Sequence, residues 1–184
     1  IQMSIGDTER VTQNRVVDFF RNRDILDYEY LGNLKGELNK NIREDHLRAY
    51  LRLCGYREKL IDGAVAELVR TAEDMTHGLY TANQRVYSLL KYGAKVKETP
   101  ESAPQTVYFI DVENPTNNHF SIAEEVTVVE RQEKRPDLVI YLNGIAVAVM
   151  ELKKKSASVS NGIRQNLTNQ KDGFIAPFFT TVQF

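Results

Sequence analysis

Apolar residues recur at helical spacing near the start of the chain. In "TERVTQNRVVDFFRNR", Val11, Val16, Phe19 and Phe20 share one side of a helix that Thr8 is placed to cap. A short extended piece, "YEYLG", follows. From about Asn41 to Tyr92 the spacing is helical again. It predicts helices over "REDHLRAYLRLCG", "EKLIDGAVAELVRTAED" and "TANQRVYSLLKYG", broken at Gly55 and at "THGLY". Gly93, Pro100 and Pro104 then mark a change of period. "QTVYFIDV", "FSIAEEVTVVE" and "LVIYLNGIAVAVM" are rich in β-branched and aromatic residues, which suit a pleated, half-buried surface. "SVSNGIRQNLTNQKDG" returns to helix, with Ser158 or Ser160 as cap and Gly173 past its end, and "APFFTTVQF" predicts a final apolar strand. The order predicts an α/β fold with a mixed central sheet flanked by helices. Residues 41–92 form a helical insertion and 93–184 the sheet core.

Between Leu138 and Met150 nearly every position is apolar or small, as in a pair of strands covered on both faces. Yet Asp137 opens this hairpin, and Glu151 and Lys153 close it. Residues i and i+2 of a strand project to one face, so Glu151 and Lys153 stand side by side. Taken alone they make an edge ion pair worth about 0–1 kcal/mol. Asp137 changes the picture, because a carboxylate entering a buried strand is costly unless paired or bound to metal. Mg²⁺ takes oxygen ligands from one or two carboxylates, completed by water and substrate phosphate. Asp137, Glu151 and the main-chain carbonyl of Leu152 are a minimal set of that kind.

Register decides whether this set can converge. A two-residue Asn143-Gly144 loop pairs Asp137 with Met150 and sends Asp137 and Glu151 to opposite faces. A three-residue Leu142-Asn143-Gly144 loop, or a bulge in the strand between Asp137 and Tyr141, returns them to one face. Val139, Tyr141, Ile145, Val147 and Val149 would then line the face of Glu151, with Leu138, Ile140 and Met150 beneath the other.

Composition adds limits. A length of 184 residues, 42% hydrophobic and 27% charged, fits one globular domain. The net charge of −1 gives no global nucleic-acid signature, but 16 Lys+Arg face 21 Asp+Glu up to residue 130, and 8 face 4 afterwards. The basic excess therefore lies around and after the hairpin, Lys153-Lys154-Lys155 included. Cys54 is the single cysteine, which excludes an internal disulfide and fits a cytoplasmic protein; its place on an apolar helical face predicts a buried thiol. His46, His77 and His119 are scattered and lack zinc spacing. No G-x-x-x-x-G-K-[ST] loop occurs, so no ATP hydrolysis is expected of this chain. It begins at Ile1 and stops at Phe184 inside an apolar run, which reads as a fragment of a longer polypeptide.

At the hairpin the sequence resembles a known family. "RPD" followed by "ELK" matches the PD-(D/E)xK nuclease motif at Pro136-Asp137 and Glu151-Leu152-Lys153. "TERVTQNRVVDFF", "LKYGAKVK", "FIDVENPTNNHF" and "GIRQNLTNQKDGFIAPFFTTVQ" resemble, in order, the N-terminal nuclease region of the restriction subunit of type I restriction-modification enzymes. The resemblance implies a PD-(D/E)xK core that cleaves double-stranded DNA with Mg²⁺. Asp137 and Glu151 carry over as metal ligands with the Leu152 carbonyl, and Lys153 as the catalytic lysine. Gln165 matches the glutamine of the family's Gln-x-x-x-Tyr motif, but Asn169 stands where the tyrosine would be. Lys154 and Arg164 would meet the DNA backbone beside Gln165, and Glu9 is the counterpart of an added first-helix glutamate. The resemblance also implies modification and specificity subunits as partners, and ATP use by a motor region C-terminal of this chain. Two other readings stay open: a non-catalytic docking module of the same fold, and a PD-(D/E)xK nuclease of repair or recombination.

Overall fold

The computed structural model describes residues 5–152, 159–171 and 173–184, with the backbone alone for residues 5–9 and 159. It is a mixed α/β structure. Helix α1 (Ile5–Arg21) leads into strand β1 (Glu29–Asn33), and three helices follow: α2 (Glu44–Leu53), α3 (Glu58–Glu73) and α4 (Gly78–Tyr92). Strands β2 (Ala94–Val96) and β3 (Gln105–Val107) pair with each other, as do β5 (Val128–Val129) and β6 (Glu133–Lys134). The central sheet takes β4 (Phe120–Glu124), β7 (Leu138–Leu142) and β8 (Ile145–Met150) in the order β1-β4-β7-β8. Only the β1–β4 pair is parallel, so the sheet is mixed. Helix α5 (Val159–Asn169) and a 3-10 turn over Ala176–Thr180 complete the described chain.

The alternation of side chains across the sheet divides its core. Ile122, Leu138, Ile140 and Met150 meet Val16, Val17 and Phe20 of α1 on one face. Ala123, Val139, Tyr141, Ala146 and Val149 meet Ile175, Phe178 and Phe179 on the other. A third cluster lies among α2, α3 and α4, where Leu47, Leu51, Ile61, Leu68 and Val86 are buried with Val96, Phe109 and Ile145. Gly63 lets α3 lie against β2, since a β-carbon there would come within 2.4 Å of the Val96 side chain.

Several expectations are corrected. Thr8 lies inside α1 rather than capping it, and Ser160 lies inside α5; Ser158 is outside the described residues. The "APFFTTVQF" segment is not a strand over most of its length. Pro177 opens a 3-10 turn, for which its ring is preset, and that turn buries Phe178 and Phe179 side by side. Cys54 is exposed: α2 ends at Leu53, and Gly55, at a φ of +82°, turns the chain away just as the thiol would have reached the core. Ile145 and Val147 pack with the cluster of α2, α3 and α4 instead of sharing the face of Val139 and Tyr141.

Tyr141 is fully buried, and burial pushes its phenol up to about 12, with the Arg43 guanidinium 5.7 Å from the ring centroid opposing the shift. The folded pKa lies above the ordinary 10.0. Its contribution is therefore intact below pH 10 and is lost as pH climbs toward 12. Through this group stability is expected to fall by about 2–3 kcal/mol across that window. Urea midpoints at pH 9 and 12 check it: Tyr141→Phe should lose less than the parent.

Candidate active site

The hairpin turn contains two residues. Asn143 and Gly144 both have positive φ, +52° and +85°, the signature of a type I′ turn, and Leu142 pairs with Ile145 across it. Continued regularly, this register would put Asp137 and Glu151 on opposite faces. It is not continued. Tyr141 pairs with Ala146, but Ile140 pairs with Ala148, so Val147 is an extra residue in β8. Beyond the bulge Val139 pairs with Val149 and Leu138 with Met150. One further step of this register would set Asp137 opposite Glu151, each just beyond the end of its strand. The convergence expected of a three-residue turn or a bulge in the first strand is reached by a bulge in the second.

Hydrogen bonds fix the result. The main-chain N–H of Leu152 donates to Oδ2 of Asp137 at 2.6 Å, and Nε2 of Gln165 in α5 donates to Oε2 of Glu151 at 2.6 Å. Leu152 turns its side chain into the α1 cluster, which anchors the strand end. Asp137 and Glu151 are half-buried, and carboxylate and main-chain carbonyl oxygens are the ligand types that a hard divalent cation takes. Asp137→Asn keeps an oxygen acceptor for the Leu152 N–H, whereas Asp137→Ala loses a charge-assisted bond worth about 1.5–3 kcal/mol. Melting in chelator should therefore show the alanine variant several degrees below the asparagine variant.

Behind this end of β7 lies a buried carboxylate absent from the sequence reasoning. Glu124, 3% exposed, takes an ion pair from Arg10 at 2.8 Å and hydrogen bonds from Gln13 Nε2 at 3.1 Å and Tyr30 Oη at 2.9 Å. The same Gln13 nitrogen reaches the main-chain oxygen of Asp137 at 3.5 Å, so α1 is tied to the residue that begins the site. Burial first, then the Glu124 contact, pushes the Tyr30 phenol above its ordinary value. The pairing of Leu138 with Glu124 is what brings this group near, and no motif announces it.

Of the remaining sequence-derived residues, Arg164 and Gln165 are exposed on α5, whereas Asn169 is 3% exposed and turned inward. Glu9 lies in α1, its side chain outside the described part. Lys153 and Lys154 lie outside the described residues. Two of the three histidines come together: Nε2 of His119 is 2.8 Å from Oε2 of Glu29, and the His46 and His119 rings lie 6.4 Å apart, while His77 stands at the start of α4. Burial first, then the Arg43 charge, holds His46 below its ordinary pKa. Among the described residues no helix is long and apolar enough to cross a membrane.

Sequence comparison gives a consistent picture. The family model described as the N terminus of the type I restriction enzyme R protein matches residues 7–184. The putative type I restriction enzyme MjaIXP endonuclease subunit of Methanocaldococcus jannaschii is 34% identical over 94 residues, 47% of this chain. The type I restriction enzyme HindI endonuclease subunit of Haemophilus influenzae is 28% identical over 139 residues, 71% of this chain. The matched regions span 9% and 13% of those two proteins.

Proposed function

Because the chain belongs to the family of type I restriction enzyme R protein N-terminal regions, we propose that it is the endonuclease domain of such a subunit, hydrolysing phosphodiester bonds in double-stranded DNA. Residues 1–184 would act as one PD-(D/E)xK nuclease domain carrying the 41–92 helical insertion, in a cytoplasmic complex with modification and specificity subunits. The single observation that carries this reading is the Val147 bulge, whose register, continued one step past β7 and β8, would set Asp137 opposite Glu151.

Asp137, Glu151 and the Leu152 carbonyl would hold Mg²⁺, which when bound would polarise the phosphoryl oxygen and lower the pKa of water. Gln165, which donates to the Glu151 carboxylate, would steady it for metal binding. The Leu152 N–H does the same for Asp137. Lys153 would balance the negative charge that develops on the phosphate as the bond to the leaving oxygen breaks. Arg164 and Lys154 would bind the DNA backbone, which positions the duplex and reads no sequence. ATP would enter only through a motor region elsewhere in the subunit.

The test is plasmid cleavage by the assembled enzyme supplied with ATP. Cleavage should stop in chelator and return on adding Mg²⁺ alone. Cutting that persists after metal removal would overturn the reading.

A further inference from the structure

The other end of the same hairpin gathers a second set of ligating groups. One carboxylate oxygen of Glu29 and one ring nitrogen each of His46 and His119 all lie within 4.8 Å of one another. They come from three elements that are distant in sequence: Glu29 opens β1, His46 lies in α2, and His119 precedes β4. We propose that Glu29, His46 and His119 form a binding site for a borderline divalent transition-metal ion, Zn²⁺ above others, which ties the helical insertion to the sheet.

Three observations carry it. The first is ligand chemistry. Two imidazoles and one carboxylate suit Zn²⁺ and its neighbours, while Mg²⁺ prefers an all-oxygen shell, so the two ends of the hairpin select different metals. The second is distance. Tetrahedral Zn²⁺ with bonds of about 2.1 Å needs ligand atoms about 3.4 Å apart. The widest separation here must close by little more than an ångström, and the 2.8 Å Glu29–His119 contact must open by less. Exposed Glu29 and His119 side chains move that far by rotation.

The third observation is that the histidine backbones are held in place independently of any metal. The His119 N–H donates to Oδ1 of Asn143 at 2.7 Å, and the His119 carbonyl accepts from the Asn143 N–H at 2.8 Å. Asn143 Nδ2 donates in turn to the Phe109 carbonyl and to Asn118. Beside it, Gly144 lies so close to α2 that a β-carbon would come within 2.8 Å of His46 Cβ. One turn thus fixes both imidazole-bearing segments, as preorganised ligands require. Arg43, whose charge acts on His46, directs its guanidinium over the Tyr141 ring. Glu29 and His119 also line an open cavity of about 850 Å³, which leaves room for water in a fourth position.

The site stands apart from the proposed nuclease centre, about 20 Å from Asp137 along β7 at 3.3 Å per residue, and its test does not depend on DNA cleavage. Zn²⁺ is titrated calorimetrically into the protein carrying Cys54→Ser, which removes the exposed thiol as an alternative ligand. One Zn²⁺ per chain is expected, with Tm rising on saturation. His46→Ala and His119→Ala should each weaken binding by at least about 100-fold, beyond the 10–100-fold cost of losing an outer partner. Both variants should keep the metal-free Tm of the parent. Asp137→Asn with Glu151→Gln should leave Zn²⁺ affinity unchanged. His119→Asn serves if the alanine variant does not fold. Absence of stoichiometric Zn²⁺, affinity indifferent to His46 and His119, or loss only with Asp137 and Glu151 would each overturn the site.

Discussion

Glu151→Ala is expected to lower DNA cleavage by the assembled enzyme about a thousandfold or more, while the domain melts within a few degrees of the parent. The magnitude follows from what one charged group contributes where charge develops in a water-poor site: loss of a single stabilising contact in such settings removes about two to three decades of rate. A carboxylate that also holds a divalent cation removes more, because the Lewis-acid contribution goes with it. The fold should survive, since Glu151 is half-buried beyond a strand end and Gln165, which donates to it, sits on exposed helix surface. Asp137→Asn and Lys153→Ala should match it in activity. Retained cleavage by a folded Glu151→Ala enzyme would show that this carboxylate has no part in the chemistry.

Gly144→Val should be the most destabilising substitution in the hairpin, at about 3–5 kcal/mol and a fall in Tm of about 10 °C. Two costs act together. At a φ of +85° a β-branched residue is strained before it meets any neighbour. Its β-carbon would then lie 2.7 Å from the Arg43 carbonyl and 2.9 Å from the Leu47 nitrogen. Both are main-chain atoms of the α2 entry, which cannot yield as a flexible side chain would. Calorimetric melting gives the answer. A shift below about 3 °C would mean that α2 does not dock on the turn as closely as the structure has it.

The elements carrying strong period were legible: α2, α3, α4 and the strand-rich segment fall where apolar spacing puts them. So was the pairing of β7 with β8, because Asn-Gly between apolar runs has few other uses. The register was not legible. In "IAVAVM" small and β-branched residues alternate so evenly that a one-residue shift exchanges Ala for Val, and both suit either face. The preference lies in contacts that the local pattern omits: the Val147 carbonyl accepts from the N–H groups of Gln183 and Phe184, and Thr181 Oγ1 donates to the Ala146 carbonyl. The histidine group was hidden for a related reason. Its members come together through tertiary docking of α2 against the turn, so no fixed spacing marks them. Cys54 misled because helical periodicity was extended one residue beyond the helix.

The Val147 bulge also changes what kind of variation the proposed active site can absorb. Its geometry depends on a count of residues, not on the side chain at 147, which packs among apolar neighbours and has no polar duty. Exchange of Val147 for another small apolar residue leaves the frame intact. Removal of Val147 itself would give a regular ladder in which the next pair is still Asp137 with Glu151. One residue inserted between Gly144 and Glu151, with the bulge kept, would instead set Glu151 opposite Pro136 and send it to the other face of the sheet. For this hairpin an inserted residue outweighs a substitution, and an intact "RPD" and "ELK" are informative only when the ladder between them stays in step.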